Sequence, residues 1–129
     1  MTRKALWTGT IIVLLAALLG VFFARSRVKL RLLALPGEAT VVHMAAGSFE
    51  PREVTVWKGS TVCFRNEDTE ARWPASAIHP THAIYPEFDS KLPVRSGETW
   101  CFPFDLAGIW RYHDHLFPGV TGVVYVQGK

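Results

Sequence analysis

The chain has 129 residues and a formal net charge of +3, a length that suits one small domain. Residues 1–36 contain six Lys or Arg and no acid, whereas the remainder contains eight Lys or Arg against eleven Asp or Glu. The basic character therefore belongs to the N-terminal segment, where it flanks an apolar run, and the rest of the chain is mildly acidic. We expect no nucleic-acid partner, because no basic groove accompanies the aromatic residues.

Residues 5–24 form an apolar run that only Thr and Gly interrupt. As a helix this run spans roughly 30 Å, the thickness of the hydrocarbon core of a bilayer. The segment at residues 24–26 is a poor site for signal peptidase, so an uncleaved transmembrane helix is favoured over a cleavable signal peptide. We divide the chain into an N-terminal transmembrane anchor at 1–27, a linker at 28–37 and a folded domain at 38–129.

The chain has two cysteines, Cys63 and Cys101. In residues 61–65 and 100–104 the cysteine alternates with aliphatic or aromatic residues, so both cysteines are predicted on the outer face of their strands. On neighbouring strands they could form a disulfide; the alternative is two free thiols. A disulfide requires an oxidising compartment, so we expect the domain on the extracytoplasmic side of the membrane. The four basic residues after the apolar run, against two before it, favour the opposite orientation.

From residue 39 onwards, short apolar runs separated by Gly, Pro, Asn and Asp predict β-strands. Without a helical pattern between them, they argue for an all-β sandwich or barrel. Residues 67–93 differ, being rich in Pro, His and acids, and predict a long ordered functional loop with at most one strand. The predicted strands are Thr40–Ala45, Glu53–Trp57, Thr61–Asn66, Thr99–Phe104, Ile109–His113 and Val120–Gln127.

Residues 48–68 resemble the opening of a cupredoxin, with a Phe-x-Pro segment, a strand, a Lys-Gly turn and a strand that ends Phe-x-Asn-x-Asp. The segments 102–104, 107–113 and 122–126 resemble the last three strands of that family. The order and spacing of these pieces imply a cupredoxin-like Greek-key β-sandwich, here preceded by the single N-terminal transmembrane helix.

The resemblance also locates the four ligands of a blue-copper site, and all four are absent. The positions of the first histidine, the cysteine, the second histidine and the axial methionine hold Arg72, Asp114, Phe117 and about Val120. Blue copper depends on a bond between copper and a thiolate. The chain is therefore not a plastocyanin-type carrier.

Four of the five histidines form two pairs, His79 with His82 and His113 with His115. Residues 73–89 and 112–116, which carry them, resemble a variant cupredoxin group of membrane-anchored bacterial proteins. The His-x-His motif also resembles non-blue copper positions in multicopper-oxidase domains. In a cupredoxin sandwich the two loops meet at one end, so we predict that the four imidazoles bind copper, which we favour over zinc.

Three acids near the histidine pairs are possible accessory groups, either as ligands or as hydrogen-bond partners that orient a histidine. These acids are Asp114, Glu87 and Asp89. The variant group is expected to carry a histidine before the Trp-Pro-Ala-Ser segment, where this chain has Arg72. His43 lies alone in the first strand and is expected to be structural.

The leading hypothesis is a membrane-anchored, extracytoplasmic copper-binding protein that serves copper handling or electron transfer. Its expected partners are the membrane, through the N-terminal helix, and a redox or copper-delivery protein. Two alternatives stay open: a metal-free structural or interaction sandwich, and a small copper-dependent oxidoreductase. No residue is assigned a catalytic role, since the sequence has no nucleophile elbow, Walker loop or Cys–His signature.

Overall fold

The computed structural model describes residues 39–128, so the predicted anchor, the linker and their boundaries lie outside the described residues. Among residues 39–128 there is no helix with the length and apolar character that crossing a bilayer requires. This described part of the chain contains eight strands: β1 (Thr40–Ala45), β2 (Ser48–Glu50), β3 (Glu53–Trp57), β4 (Ser60–Asn66), β5 (Pro74–Ser76), β6 (Thr99–Phe104), β7 (Gly108–Asp114) and β8 (Thr121–Gln127).

The strands form two four-stranded sheets, with the orders β2-β1-β4-β6 and β3-β8-β7-β5. Pairing is parallel between β1 and β4 and between β3 and β8, and antiparallel elsewhere. Each sheet has an apolar side because apolar residues alternate along its strands, and the two apolar sides enclose the core. The all-β sandwich predicted from the sequence is confirmed.

Aromatic side chains from both sheets and from the long 67–98 connection meet in the core. Phe64 of β4, Tyr112 of β7 and Phe88 of the connection are almost fully buried, with ring centroids 5.3 to 5.7 Å apart. Burial of a side chain of this size contributes roughly 1.5–3 kcal/mol to stability. Phe88 therefore ties the histidine-bearing connection to the core.

Cys63 of β4 lies directly opposite Cys101 of β6 in the antiparallel register, and the two form a disulfide. Their neighbours Val62 and Phe64 are fully buried, which places both cysteines on the outer face of the sheet. The predicted disulfide is confirmed, and the alternative of two free thiols is wrong.

Two short strands were not assigned from the sequence. β2 pairs with β1 after a turn in which Ala46 and Gly47 both have positive φ, and β5 pairs with β7 inside the segment predicted as a loop. Each has only three residues, too few for a hydrophobic alternation to be recognised. The pairing of β5 with β7 brings the segment after β5, which carries His79 and His82, close to His113.

Candidate metal centre

The two histidine pairs come from neighbouring parts of one sheet. His113 is the penultimate residue of β7, and His115 follows the strand end. Ala75 of β5 lies opposite His113, and the chain turns back after β5, with hydrogen bonds from His82 N to Ile78 O and from Ile84 N to Ala77 O. This turn brings the 79–82 segment against the end of β7.

All four imidazoles of the two pairs lie together. The His79 ring centroid is 5.3 Å from that of His113 and 4.9 Å from that of His115, and the His82 centroid is 5.2 and 4.8 Å from the same two rings. One nitrogen each from His79, His113 and His115 lie within 4.8 Å of one another. Three imidazole nitrogens grouped in this way are a candidate metal site that small side-chain movements would close around an ion, and imidazole nitrogens suit copper and zinc.

The His113 side chain provides the main test of whether the site fits a metal. Its residue is 4% exposed, and its buried Nε2 atom has no hydrogen-bond partner. A buried nitrogen without a partner costs about 1–3 kcal/mol, which a metal ion at that atom would offset. Burial, together with the nearby rings of the other three histidines, lowers the pKa of His113 to about 4. The ring is therefore neutral at pH 7, as a metal ligand must be.

A hydrogen-bonded chain connects Asp89, His82 and His115. Asp89 Oδ2 is 2.7 Å from His82 Nδ1, and His82 Nε2 is 2.9 Å from His115 Nδ1. An ionised carboxylate can only accept, so His82 Nδ1 carries the proton, and in neutral His82 the Nε2 atom accepts from His115 Nδ1–H. This assignment leaves His115 Nε2 unprotonated and free to bind an ion.

Asp89 is held by donors on every side. Trp73 Nε1 donates at 2.7 Å, the backbone N of Lys91 at 2.8 Å and Lys91 Nζ at 3.0 Å. Burial raises the pKa of Asp89, but the hydrogen bonds from Trp73, Lys91 and His82 outweigh it and hold the pKa far below its usual range. Asp89 is therefore ionised and orients His82. No sequence signal paired Trp73 with an acid sixteen residues later.

Among the described residues, the other two accessory candidates make no hydrogen bond to a histidine ring. Asp114 is fully buried and accepts hydrogen bonds from the backbone N of Trp73 and Leu116, both at 3.0 Å. Glu87 is exposed, and in the described part of the chain its carboxylate makes no hydrogen bond to a histidine. The fifth histidine, His43, pairs with an acid instead: its Nδ1 is 2.8 Å from Glu67 Oε1.

Arg72 occupies the place that the cupredoxin resemblance assigns to a copper ligand. Its guanidinium makes hydrogen bonds to Asp68 and, at 3.3 Å, to Asp114 Oδ2, and it lies 4.5 Å from the centroid of the Phe117 ring. Arg72, Asp114 and Phe117 stand at the positions of the first histidine, the cysteine and the second histidine of a blue site. A buried ion pair therefore joins two of the positions that the resemblance assigns to copper ligands, and the Arg72 guanidinium bonds to Asp68 and Asp114 instead of a histidine.

No protein-family model matches the sequence, and no curated protein is significantly similar to it. Solved structures share the fold. A purple cupredoxin from Nitrosopumilus maritimus is 22% identical, with a TM-score of 0.60 over 68% of this chain and 99% of that chain. A reduced amicyanin variant is 23% identical, with a TM-score of 0.61, and the match covers 72% of this chain and 86% of that chain. A copper-containing nitrite reductase from Thermus scotoductus SA-01 is 24% identical, with a TM-score of 0.61. That match covers 73% of this chain but only 23% of the reductase chain. The described residues thus form a cupredoxin-like domain.

Proposed function

From this cupredoxin-like domain, we propose that the protein is a copper-binding module whose ion is held by His79, His113 and His115 in a non-blue site. The observation that carries the proposal is the convergence of three imidazole nitrogens, at a place where the buried Nε2 atom of His113 has no other partner. Both cysteines are bound in the disulfide, so no thiolate is available to the ion.

Copper is preferred to zinc for two reasons. The same nitrogen donors bind Cu²⁺ more tightly than Zn²⁺. In addition, one structural neighbour is named as a copper-containing nitrite reductase. Copper bound by the histidines would supply one-electron chemistry or be carried as cargo. The sequence predicted His82 as a fourth ligand, and no observation tests that role. In the proposed site His82 instead links Asp89 to His115 through hydrogen bonds on both of its ring nitrogens.

The proposal includes an extracytoplasmic location and a membrane anchor. The disulfide between Cys63 and Cys101 supports an oxidising compartment. The apolar run at residues 5–24 supports an anchor, although it lies outside the described residues. In this setting the module serves copper handling or electron transfer, with a redox or copper-delivery protein as its partner.

Copper loading of the full chain, purified in mild detergent, tests the proposal. We expect about one Cu²⁺ per chain to remain after desalting, with an electron paramagnetic resonance spectrum that shows imidazole nitrogens and an optical spectrum without an intense thiolate band. H113A removes a ligand and should lose the bound copper. H43A removes the solvent-exposed histidine that pairs with Glu67 and should retain it. Absence of bound copper in the native chain, or equal loss in both variants, would refute the site.

A further inference from the structure

A cavity of about 430 Å³ opens beside the histidine cluster. His79 and His113, two of the three proposed ligands, line it, and His82 and His115 do not. Cavities that bind small molecules usually measure about 300–1,000 Å³, so this one has room for a small ligand and water. The chemistry of its other walls decides what that ligand can be.

The walls come from the outer face of the sheet β3-β8-β7-β5. Arg111 and His113 are two residues apart on β7, and Tyr112 between them points into the core, so the two side chains project from the outer face. Thr121 of β8 lies opposite His113 in the antiparallel register. Arg111, His113 and Thr121 therefore line one surface of the cavity.

Arg52, which precedes β3, supplies a second guanidinium that is held in place. Its Nε donates to Thr121 O at 3.1 Å and its Nη2 donates to Thr121 Oγ1 at 2.9 Å. These bonds occupy one edge of the guanidinium and leave its Nη1 donors free. A guanidinium with a fixed orientation loses less conformational entropy when it binds a further acceptor.

The cavity carries more positive than negative charge. Within residues 39–128 neither Arg52 nor Arg111 forms an ion pair with a carboxylate. Glu53 is the one acid that lines the cavity, against two arginines. His113, which also lines the cavity, is neutral at pH 7 and adds no charge to it.

We propose that this cavity binds a small carboxylate or other small oxyanion, held by Arg52 and Arg111 beside the ion at His79 and His113. A planar guanidinium matches the two oxygens of a carboxylate and forms hydrogen bonds of the stronger, charge-assisted kind. Three protein ligands also leave a coordination position of the ion for an external ligand. The position of the anion relative to copper rests on the proposed function, whereas its recognition by the arginines does not.

Acetate is the probe, in a chloride-free buffer of low ionic strength, added to the full chain in both metal-free and Cu²⁺-loaded forms. Binding to the metal-free chain is followed by the ¹⁵N shifts of the arginine Nε–H groups, and binding to the loaded chain by the change in the paramagnetic resonance spectrum. We expect R52Q and R111Q each to weaken acetate binding about tenfold or more in both forms, because each removes a charged donor. Both variants should still retain about one copper ion per chain, because neither arginine belongs to the proposed ligand set.

R95Q is the matched control, since Arg95 is an exposed arginine that forms no ion pair within residues 39–128 and does not line this cavity. Equal acetate binding in R52Q, R111Q and R95Q would overturn the anion site while leaving copper binding intact. Acetate binding that depends on Arg52 and Arg111 in a chain that retains no copper would support the anion site and refute the proposed function. Acetate that shifts the arginine signals but leaves the copper spectrum unchanged would overturn the placement beside the ion.

Discussion

At Asp89, four hydrogen bonds converge on one buried carboxylate, from Trp73 Nε1, His82 Nδ1 and the two nitrogens of Lys91. Because the carboxylate accepts at His82 Nδ1, it determines which nitrogen of His82 carries the proton. His82 in turn determines which nitrogen of His115 carries the proton, because His82 Nε2 is 2.9 Å from His115 Nδ1. Asp89 thus acts on the proposed ion through two histidines and is a positioning residue.

D89N tests this role. The amide keeps the shape of the side chain but can donate to His82 Nδ1, which removes the preference for the tautomer that frees His115 Nε2. We expect copper affinity, measured by competition with a chromophoric chelator, to fall about 10- to 100-fold, as for other outer-shell partners of metal-binding histidines. The number of coordinated imidazoles should not change. E87Q, at an exposed acid nearby, should bind copper like the native chain, and equal affinity in both variants would contradict the role of Asp89.

At the scale of elements, the connection between β4 and β6 is fixed by hydrogen bonds to β5 and by a side chain buried in the core. Ser76 of β5 donates its N–H to Phe88 O at 2.7 Å, and its Oγ accepts the N–H of Tyr85 at 3.0 Å. Phe88 lies in the core. The turn that carries His79 and His82 is therefore supported by β5 and by a buried aromatic anchor, which preorganises the histidines.

The disulfide links β4 and β6, in the sheet that does not carry the histidines of β7. Its contribution to the free energy of unfolding should therefore be separable from copper binding. The residues between Cys63 and Cys101 form a closed loop with a sequence separation of 38, for which the chain-entropy model gives about 4 kcal/mol of stabilisation. We expect the double variant C63A/C101A to lose roughly this free energy of unfolding, measured with urea, and still to bind one copper ion. Loss of copper binding under conditions where the double variant remains folded would contradict this separation.

At the scale of the whole molecule, two polar clusters lie on opposite faces of β7. The histidines and the cavity lie on the outer face, whereas Asp114 points inward to Arg72, which also binds Asp68. Replacing a buried ion pair with one unpaired charge is strongly destabilising, so this cluster ties stability to the ionisation of its carboxylates. The two positions that the resemblance assigns to copper ligands, Arg72 and Asp114, thus hold a buried ion pair that supports the fold.

Acid should weaken the fold through Asp68. Its pKa is lowered from 3.8 to about 2, first by the hydrogen bond from Arg72 and then by the backbone N–H groups of Gly47 and Thr69. Since the folded pKa is below the unfolded one, the stabilisation is complete above about pH 4 and disappears as the pH falls towards 2. Urea unfolding between pH 6 and 2.5 should show a smaller decrease in D68N than in the native chain. D105N, at an exposed acid, should follow the native curve; an unchanged pH dependence in D68N would exclude this contribution.

Most of the strands could be predicted from the sequence because alternation and turn residues are local properties. The same alternation placed Cys63 and Cys101 on outer faces, and the disulfide confirms it. The strands β2 and β5 could not be predicted in this way, because three residues are too few to show an alternation of apolar and polar side chains. The transmembrane anchor stays a prediction, because its residues lie outside those described.

By itself, the sequence determined the fold class, the absence of a thiolate ligand and the presence of two histidine pairs. Only the tertiary structure showed how these histidines are arranged: one nitrogen from each of His79, His113 and His115 lies within 4.8 Å of the other two, and His82 bonds to Asp89 and His115. It also brought Arg52 beside Arg111 in one cavity. The physical reason is that local periodicity sets the face on which a side chain lies, whereas distances between residues far apart in the chain depend on strand register and on where the chain turns back.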